Sequence, residues 1–143
     1  MTTVRQLLDG KSPEVHAVRP DTAVIEAIRL MAEKSIGAVL VMDGPVLAGI
    51  LSERDYARKI VLHGRSSSNT PVRDIMTAQV ITVRPQDSAD HCMQLVTDGR
   101  IRHLPVLEGE ILCGFISIGD LVKSRMDQVE AEAAAMRDYI KMA

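Results

Sequence analysis

The chain has 143 residues, of which 46% are hydrophobic and 25% charged, a balance that excludes a disordered polymer and suits one compact unit or two very small ones. Lys and Arg number 17 against 19 Asp and Glu, so the net charge is −2, and a protein whose main task is gripping a nucleic-acid backbone is not expected. Phe115, Tyr56 and Tyr139 are the only aromatic residues, which also argues against a base-stacking platform.

Met1 to Gly10 shows no cationic start followed by an apolar run, so no signal peptide is expected. No apolar run has the length of a membrane span, and the expectation is a soluble, cytoplasmic protein. Val4-Arg5-Gln6-Leu7-Leu8 reads as a short helical lead-in, and Val72-Arg73-Asp74-Ile75-Met76 echoes it. A strand is expected over Val15–Val18, ended by Pro20, and another over Val80–Val83, ended by Pro85. Thr22 and Asp87 read as the N-caps of the helices that follow. At helical spacing, the first helix is expected to bury Val24, Ala27, Ile28 and Met31, and the second Ala89, Cys92, Met93 and Val96. Two apolar runs then flank Asp43-Gly44, and two more flank Glu108-Gly109; an acidic residue before glycine between such runs signals a hairpin. Further helices are expected from Glu53 and from Ile118.

These elements belong to an internal repeat. A shift of 65 residues lays Val18–Arg58 on Val83–Lys123 without a gap, and eleven of the 41 positions are identical. Each unit reads β-α-β-β-α and is too short for a comfortable core alone. The expected fold is α/β, with two such repeats packed with pseudo-twofold symmetry plus a C-terminal helix. The organisation follows as repeat 1 over 1–61, a Gly/Ser-containing linker over 62–71, repeat 2 over 72–123 and a helical tail over 124–143. In the tail, Val122, Met126, Val129, Ala133, Met136 and Ile140 are spaced 4, 3, 4, 3, 4, a heptad seam. That stripe either folds back on the core or pairs with another subunit, and homodimerisation is the favoured reading. Cys92 and Cys113 make neither a disulfide framework nor a zinc site, and both read as small buried core residues.

The chemistry lies in Gly49-Ile50-Leu51-Ser52-Glu53-Arg54-Asp55 and its copy Gly114-Phe115-Ile116-Ser117-Ile118-Gly119-Asp120. Serine stands where a strand gives way to a helix, and aspartate stands three residues on. One reading is a capping box, with Asp at the positive end of the helix dipole. The other is a ligand site: a hydroxyl beside free backbone N–H groups suits phosphate, and a carboxylate one turn on suits vicinal sugar hydroxyls. Together these point to a nucleotide.

The sequence resembles a tandem CBS domain pair, or Bateman module, named after cystathionine β-synthase, from about Val4 to Lys123. The resemblance rests on the Val-x-Pro elements, Ile36-Gly37-Ala38-Val39-Leu40-Val41, Ile101-Arg102-His103-Leu104-Pro105-Val106 and both Gly-h-h-Ser-x-x-Asp elements, where h is apolar. The whole chain looks like the small stand-alone bacterial CBS-pair proteins. The resemblance implies a cleft between repeats that takes AMP, ADP, ATP, NAD(H) or S-adenosylmethionine, with AMP foremost. It implies that Asp55 or Asp120 holds the ribose, that Ser52 or Ser117 lies toward phosphate, and that Ile36, Gly37, Ala38, Ile101, Arg102 and His103 line the path largely through backbone groups. Each site is expected to be composite, with Asp55 facing repeat 2 and Asp120 facing repeat 1.

The two sites differ. Arg100, Arg102 and His103 stand where repeat 1 has Ser35, Gly37 and Ala38, and a guanidinium fork matches phosphate, a solvated edge being the less favoured reading of the arginines. Lys34 and Arg54 are the candidates in repeat 1, each also readable as plain surface, and Arg54 recurs as Gly119. His16 and His103 flank the expected cleft, with a purely structural role as the other reading. Unequal affinities or a single occupied site would follow. No metal-ligand cluster, Ser/His/Asp set or P-loop is present in the sequence, so no catalytic residue and no structural metal is expected. The readings weighed are a nucleotide-sensing regulatory module acting on a separate downstream protein, a structural dimer or adaptor without ligand, and a nucleotide-processing enzyme.

Overall fold

The computed structural model describes residues 1–142. The chain runs α1 (Val4–Asp9), β1 (Ala17–Val18), α2 (Val24–Lys34), β2 (Ala38–Asp43), β3 (Val46–Ser52) and α3 (Glu53–Tyr56), which continues as a π-helical turn over Ala57–Val61. A 3-10 turn over Val72–Asp74 leads to α4 (Ala89–Gly99), β4 (His103–Glu108), β5 (Ile111–Ser117) and α5 (Ile118–Met142). Both acidic-Gly hairpins form, with Gly44 at φ 58° and Gly109 at φ 64°, where a Cβ is disfavoured.

The two sheets are unequal. In the first half β1 pairs parallel with β2, and β2 antiparallel with β3. In the second, β4 and β5 form the hairpin, but the strand expected over Val80–Val83 shrinks to a single bridge between Val83 and Val106. Pro105 is the cause. Its counterpart Leu40 donates its N–H to the His16 carbonyl at 3.1 Å, and proline has no N–H to repeat that bond.

Thr22 and Asp87 are not the helix caps. Each helix starts one residue later, at N-caps Ala23 and Ser88. Thr22 Oγ1 instead accepts the Arg19 N–H and Asp87 Oδ2 the Arg84 N–H, closing the turn after each Val-x-Pro. Ile28, Ala89 and Met93 are partly rather than fully buried, packed against cores that enclose Val24, Ala27, Met31, Cys92 and Val96.

The lead-ins are exchanged between halves. Val72 and Ile75 lie in the first core with Val24, Val39 and Leu51, while Val4 lies in the second with Cys92, Leu104 and Ile116. Backbone bonds seal the exchange: Val72 N–H to Thr22 O and Val4 N–H to Asp87 O, both 2.8 Å. The Thr70 carbonyl accepts from Val24 N and the Thr2 carbonyl from Ala89 N, so each lead-in caps the other half's helix. Fully burying one such Val, Leu or Ile stabilises by about 1.5–3 kcal/mol, so each lead-in contributes to the stability of the other repeat's core.

Glycine permits this contact at two matching places. A Cβ on Gly49 would stand 2.7 Å from the Thr77 carbonyl oxygen and 2.8 Å from Met76 Sδ. One on Gly114 would stand 2.6 Å from Leu8 Cδ2.

Cys92 is buried, and burial, with Asp87 nearby, pushes its thiol up to about 11. Cys113 is exposed, contrary to expectation, because its β5 neighbours Gly114 and Ile116 turn inward while the period of two turns Cys113 outward. Helix α5 buries Leu121 and then runs on with Val122, Met126, Val129, Met136 and Ile140 exposed. Among the described residues the tail does not fold back on the core.

Candidate functional site

Each Ser-x-x-Asp element ends a strand and opens a helix, and both close as hydrogen-bonded boxes. Ser52 Oγ accepts the Asp55 N–H at 3.2 Å, and Asp55 Oδ2 accepts the Ser52 N–H at 3.0 Å. In the copy, Ser117 Oγ accepts the Asp120 N–H at 3.1 Å, and Asp120 Oδ2 accepts the Ser117 N–H at 2.9 Å. The capping reading therefore describes the local geometry. It does not exhaust it, because each carboxylate also meets the exchanged lead-in packed into its own half.

Asp55 Oδ1 lies 3.5 Å from Thr77 Oγ1 and 3.2 Å from Lys59 Nζ. The π turn carries Lys59, whose Nζ also donates to the Ile75 carbonyl at 2.9 Å. Asp120 is wired differently. Its lysine is Lys11, just beyond α1, whose Nζ donates to Asp120 Oδ2 at 2.6 Å and to the Phe115 carbonyl at 2.8 Å. Burial pushes the Asp120 carboxyl up, but the Lys11 hydrogen bond and the Ser117 N–H outweigh it and hold the group below its ordinary 3.8.

The strand register sets the remaining candidates around these boxes. Ala38 pairs with Ser52 and His103 with Ser117 at the mouths of the hairpins. The Gly37 carbonyl accepts the Glu53 N–H and the Arg102 carbonyl the Ile118 N–H, so these two backbone groups are already engaged. Ile36 and Ile101 pack partly buried against the two cores. His103 stacks on Phe115 with ring centroids 5.3 Å apart, and burial, reinforced by Arg102, lowers its pKa.

Arg54 reaches across the halves, its Nη1 donating to the Arg100 carbonyl at 3.3 Å. Arg100 ends α4 in the left-handed region at φ 51°, as Ser35 ends α2 at φ 55°. Arg100, Arg102 and Lys34 are exposed. His16 belongs to the β1 edge, 3.9 Å from Glu14 Oε2, and makes no polar contact with either aspartate among the described residues.

A cavity of about 480 Å³ opens between α1 and α5, within the size range of small-ligand sites. Lys11, Asp120, Lys123 and Gln6 line it, and Asp120 is the one expected site residue on its wall. Sequence reasoning did not find Lys11, Lys59 or Thr77. Lys59, four residues after Asp55, carried a helical-spacing signal; Lys11 and Thr77 carried none, since chain crossing alone brings them to the boxes.

The duplicated fold and boxes define a tandem repeat module with two pseudo-equivalent carboxylate sites. The chain belongs to the CBS domain family, whose model matches residues 4–62 and 72–127. The solved structure of a CBS-domain protein from Burkholderia ambifaria MC40-6 is 55% identical with a TM-score of 0.86, covering 88% of this chain and 95% of that one. The mitochondrial CBS domain-containing protein CBSX3 of Arabidopsis thaliana is 41% identical over 126 residues, covering 85% of this chain; the chain spans 61% of that relative's length. The CBS domain pair of protein MJ0100, in complex with 5′-methylthioadenosine and S-adenosyl-L-methionine, shares the fold at a TM-score of 0.78 and 21% identity, over 90% of this chain and 98% of that one. CBS pairs of this kind are regulatory modules. No helix among the described residues is long and apolar enough to cross a membrane, and no group of His, Cys, Asp and Glu among them is arranged to hold a metal ion.

Proposed function

We propose that the chain is a cytoplasmic sensor that binds an adenosyl nucleotide between its repeats, AMP foremost, with ATP, NAD(H) and S-adenosylmethionine as ligands of the same class. Asp55 and Asp120 hold the ribose hydroxyls, and Ser52 and Ser117 lie toward phosphate. Ile36, Gly37, Ala38, Ile101 and His103 form the walls. Arg54, Arg100, Arg102, Lys34 and His16 form a polar rim of which Arg54 is the member already bridging the halves.

The observation that carries the reading is that each boxed carboxylate meets the lead-in that the other repeat's sequence contributes to its half, Asp55 at Thr77 and Asp120 at Lys11. A cap alone needs no such contact. A ligand seated there touches segments contributed by both repeats, so its affinity depends on how those segments are held together, and only such differential affinity shifts a conformational equilibrium. The exposed stripe on α5 supports a homodimer that passes the change to a separate downstream protein, with no catalysis and no nucleic acid or membrane involved.

Thermal melting with AMP, ATP, NADH and S-adenosylmethionine tests the reading. At least one ligand is expected to raise the midpoint; no shift with any of them favours a structural dimer, and ligand turnover would point to an enzyme.

A further inference from the structure

We propose, resting on the nucleotide reading above, that Lys11 makes the Asp120 site selective for phosphorylated ligands, exchanging its carboxylate partner for a phosphate as the ribose takes Asp120. Both hydrogen bonds to the Asp120 carboxylate fall on Oδ2, from Lys11 Nζ and Ser117 N, and Oδ1 makes none among the described residues. A two-point grip on a ribose diol needs both oxygens, so the ligand must take Oδ2 from Lys11. The lysine is then left partly buried, its side chain 29% exposed, with the Phe115 carbonyl as its remaining partner. Leaving an ammonium without its counter-ion in such a place is costly. A nucleoside offers no replacement, whereas a nucleotide carries an anion on the same ribose, within the swing of a four-carbon stem. Lys11 and Asp120 both line the 480 Å³ cavity, so the displaced ammonium has room to move.

The Asp55 site carries a weaker form of this coupling. Lys59 is 42% exposed, lies beside Oδ1 and keeps the Ile75 carbonyl, so losing the carboxylate costs it less. Ser124 stands at the position matching Lys59 in the second repeat, so no lysine in the matching position substitutes for Lys11.

The test is an NMR titration of the full chain with adenosine and with AMP, read at the Ser117 amide for the Asp120 site and at the Ser52 amide for the Asp55 site. The native chain is expected to bind AMP at least about tenfold tighter than adenosine at Ser117, and Lys11→Met is expected to bring the two within about twofold of each other. Lys11→Arg keeps the charge and the preference. Lys11→Gln, which keeps a donor without charge, replaces Lys11→Met if that variant does not fold, with the same expected result. A ratio unchanged in the uncharged variant overturns the role of Lys11 and leaves nucleotide binding standing. If no adenosyl ligand perturbs Ser117 or Ser52 in the native chain, the nucleotide reading falls and the role of Lys11 falls with it.

Discussion

Lys11 Nζ stands 2.6 Å from Asp120 Oδ2, joining residues 109 apart in the chain. The pair ties the N-terminal lead-in to the first turn of α5 and holds the Asp120 carboxyl below its ordinary 3.8. A depressed carboxyl stabilises the fold above its unfolded pKa, and that contribution is lost as pH falls through the lower folded value. Urea unfolding of the native chain is therefore expected to weaken below about pH 4, and Asp120→Asn is expected to flatten that part of the profile. An unchanged acid limb in the variant would contradict the wiring.

Gly49 and Gly114 occupy matching positions but face different neighbours. A methyl group at Gly49 meets the backbone oxygen of Thr77, which cannot swing aside, whereas at Gly114 it meets the end of the Leu8 side chain. Gly49→Ala is expected to cost on the order of 1–3 kcal/mol and Gly114→Ala less, measured by urea unfolding. The reverse order would mean that the lead-ins sit elsewhere.

The α5 stripe is exposed within one chain, so charging it should spare the fold and break assembly. Met126→Glu combined with Met136→Glu is expected to give a monomer in analytical ultracentrifugation, with circular dichroism otherwise unchanged. A native chain that is monomeric at all concentrations would remove the dimer from the account.

The repeat, both hairpins, the order of helices and the two Ser-x-x-Asp boxes are legible in the sequence because each is a local pattern: a fixed offset, an acidic-Gly turn, a serine at a helix start. What escaped depends on partners far along the chain. Val4 and Val72 read as apolar lead-in residues, but nothing local says that each enters the other repeat's core. Lys11 is an ordinary lysine until the crossing sets it beside Asp120. Pro105 sat in an apolar run that reads as a strand, and the missing N–H there acts on a neighbour, the expected strand at Val80–Val83. Cys113 differs from its expected burial for a simpler reason: apolar surroundings do not say which face of a strand a residue takes.

The role given to the two carboxylates is tested most directly by isothermal titration calorimetry with AMP on the native chain, Asp55→Ala, Asp120→Ala and the double variant, each checked for an intact melting transition. Losing a charge-assisted hydrogen bond to ribose costs on the order of 1.5–3 kcal/mol, so each single variant should lose about tenfold to hundredfold in affinity at one site, and the double variant should lose as much at both. Folded variants that bind AMP as tightly as the native chain would contradict the account and leave Asp55 and Asp120 as helix caps.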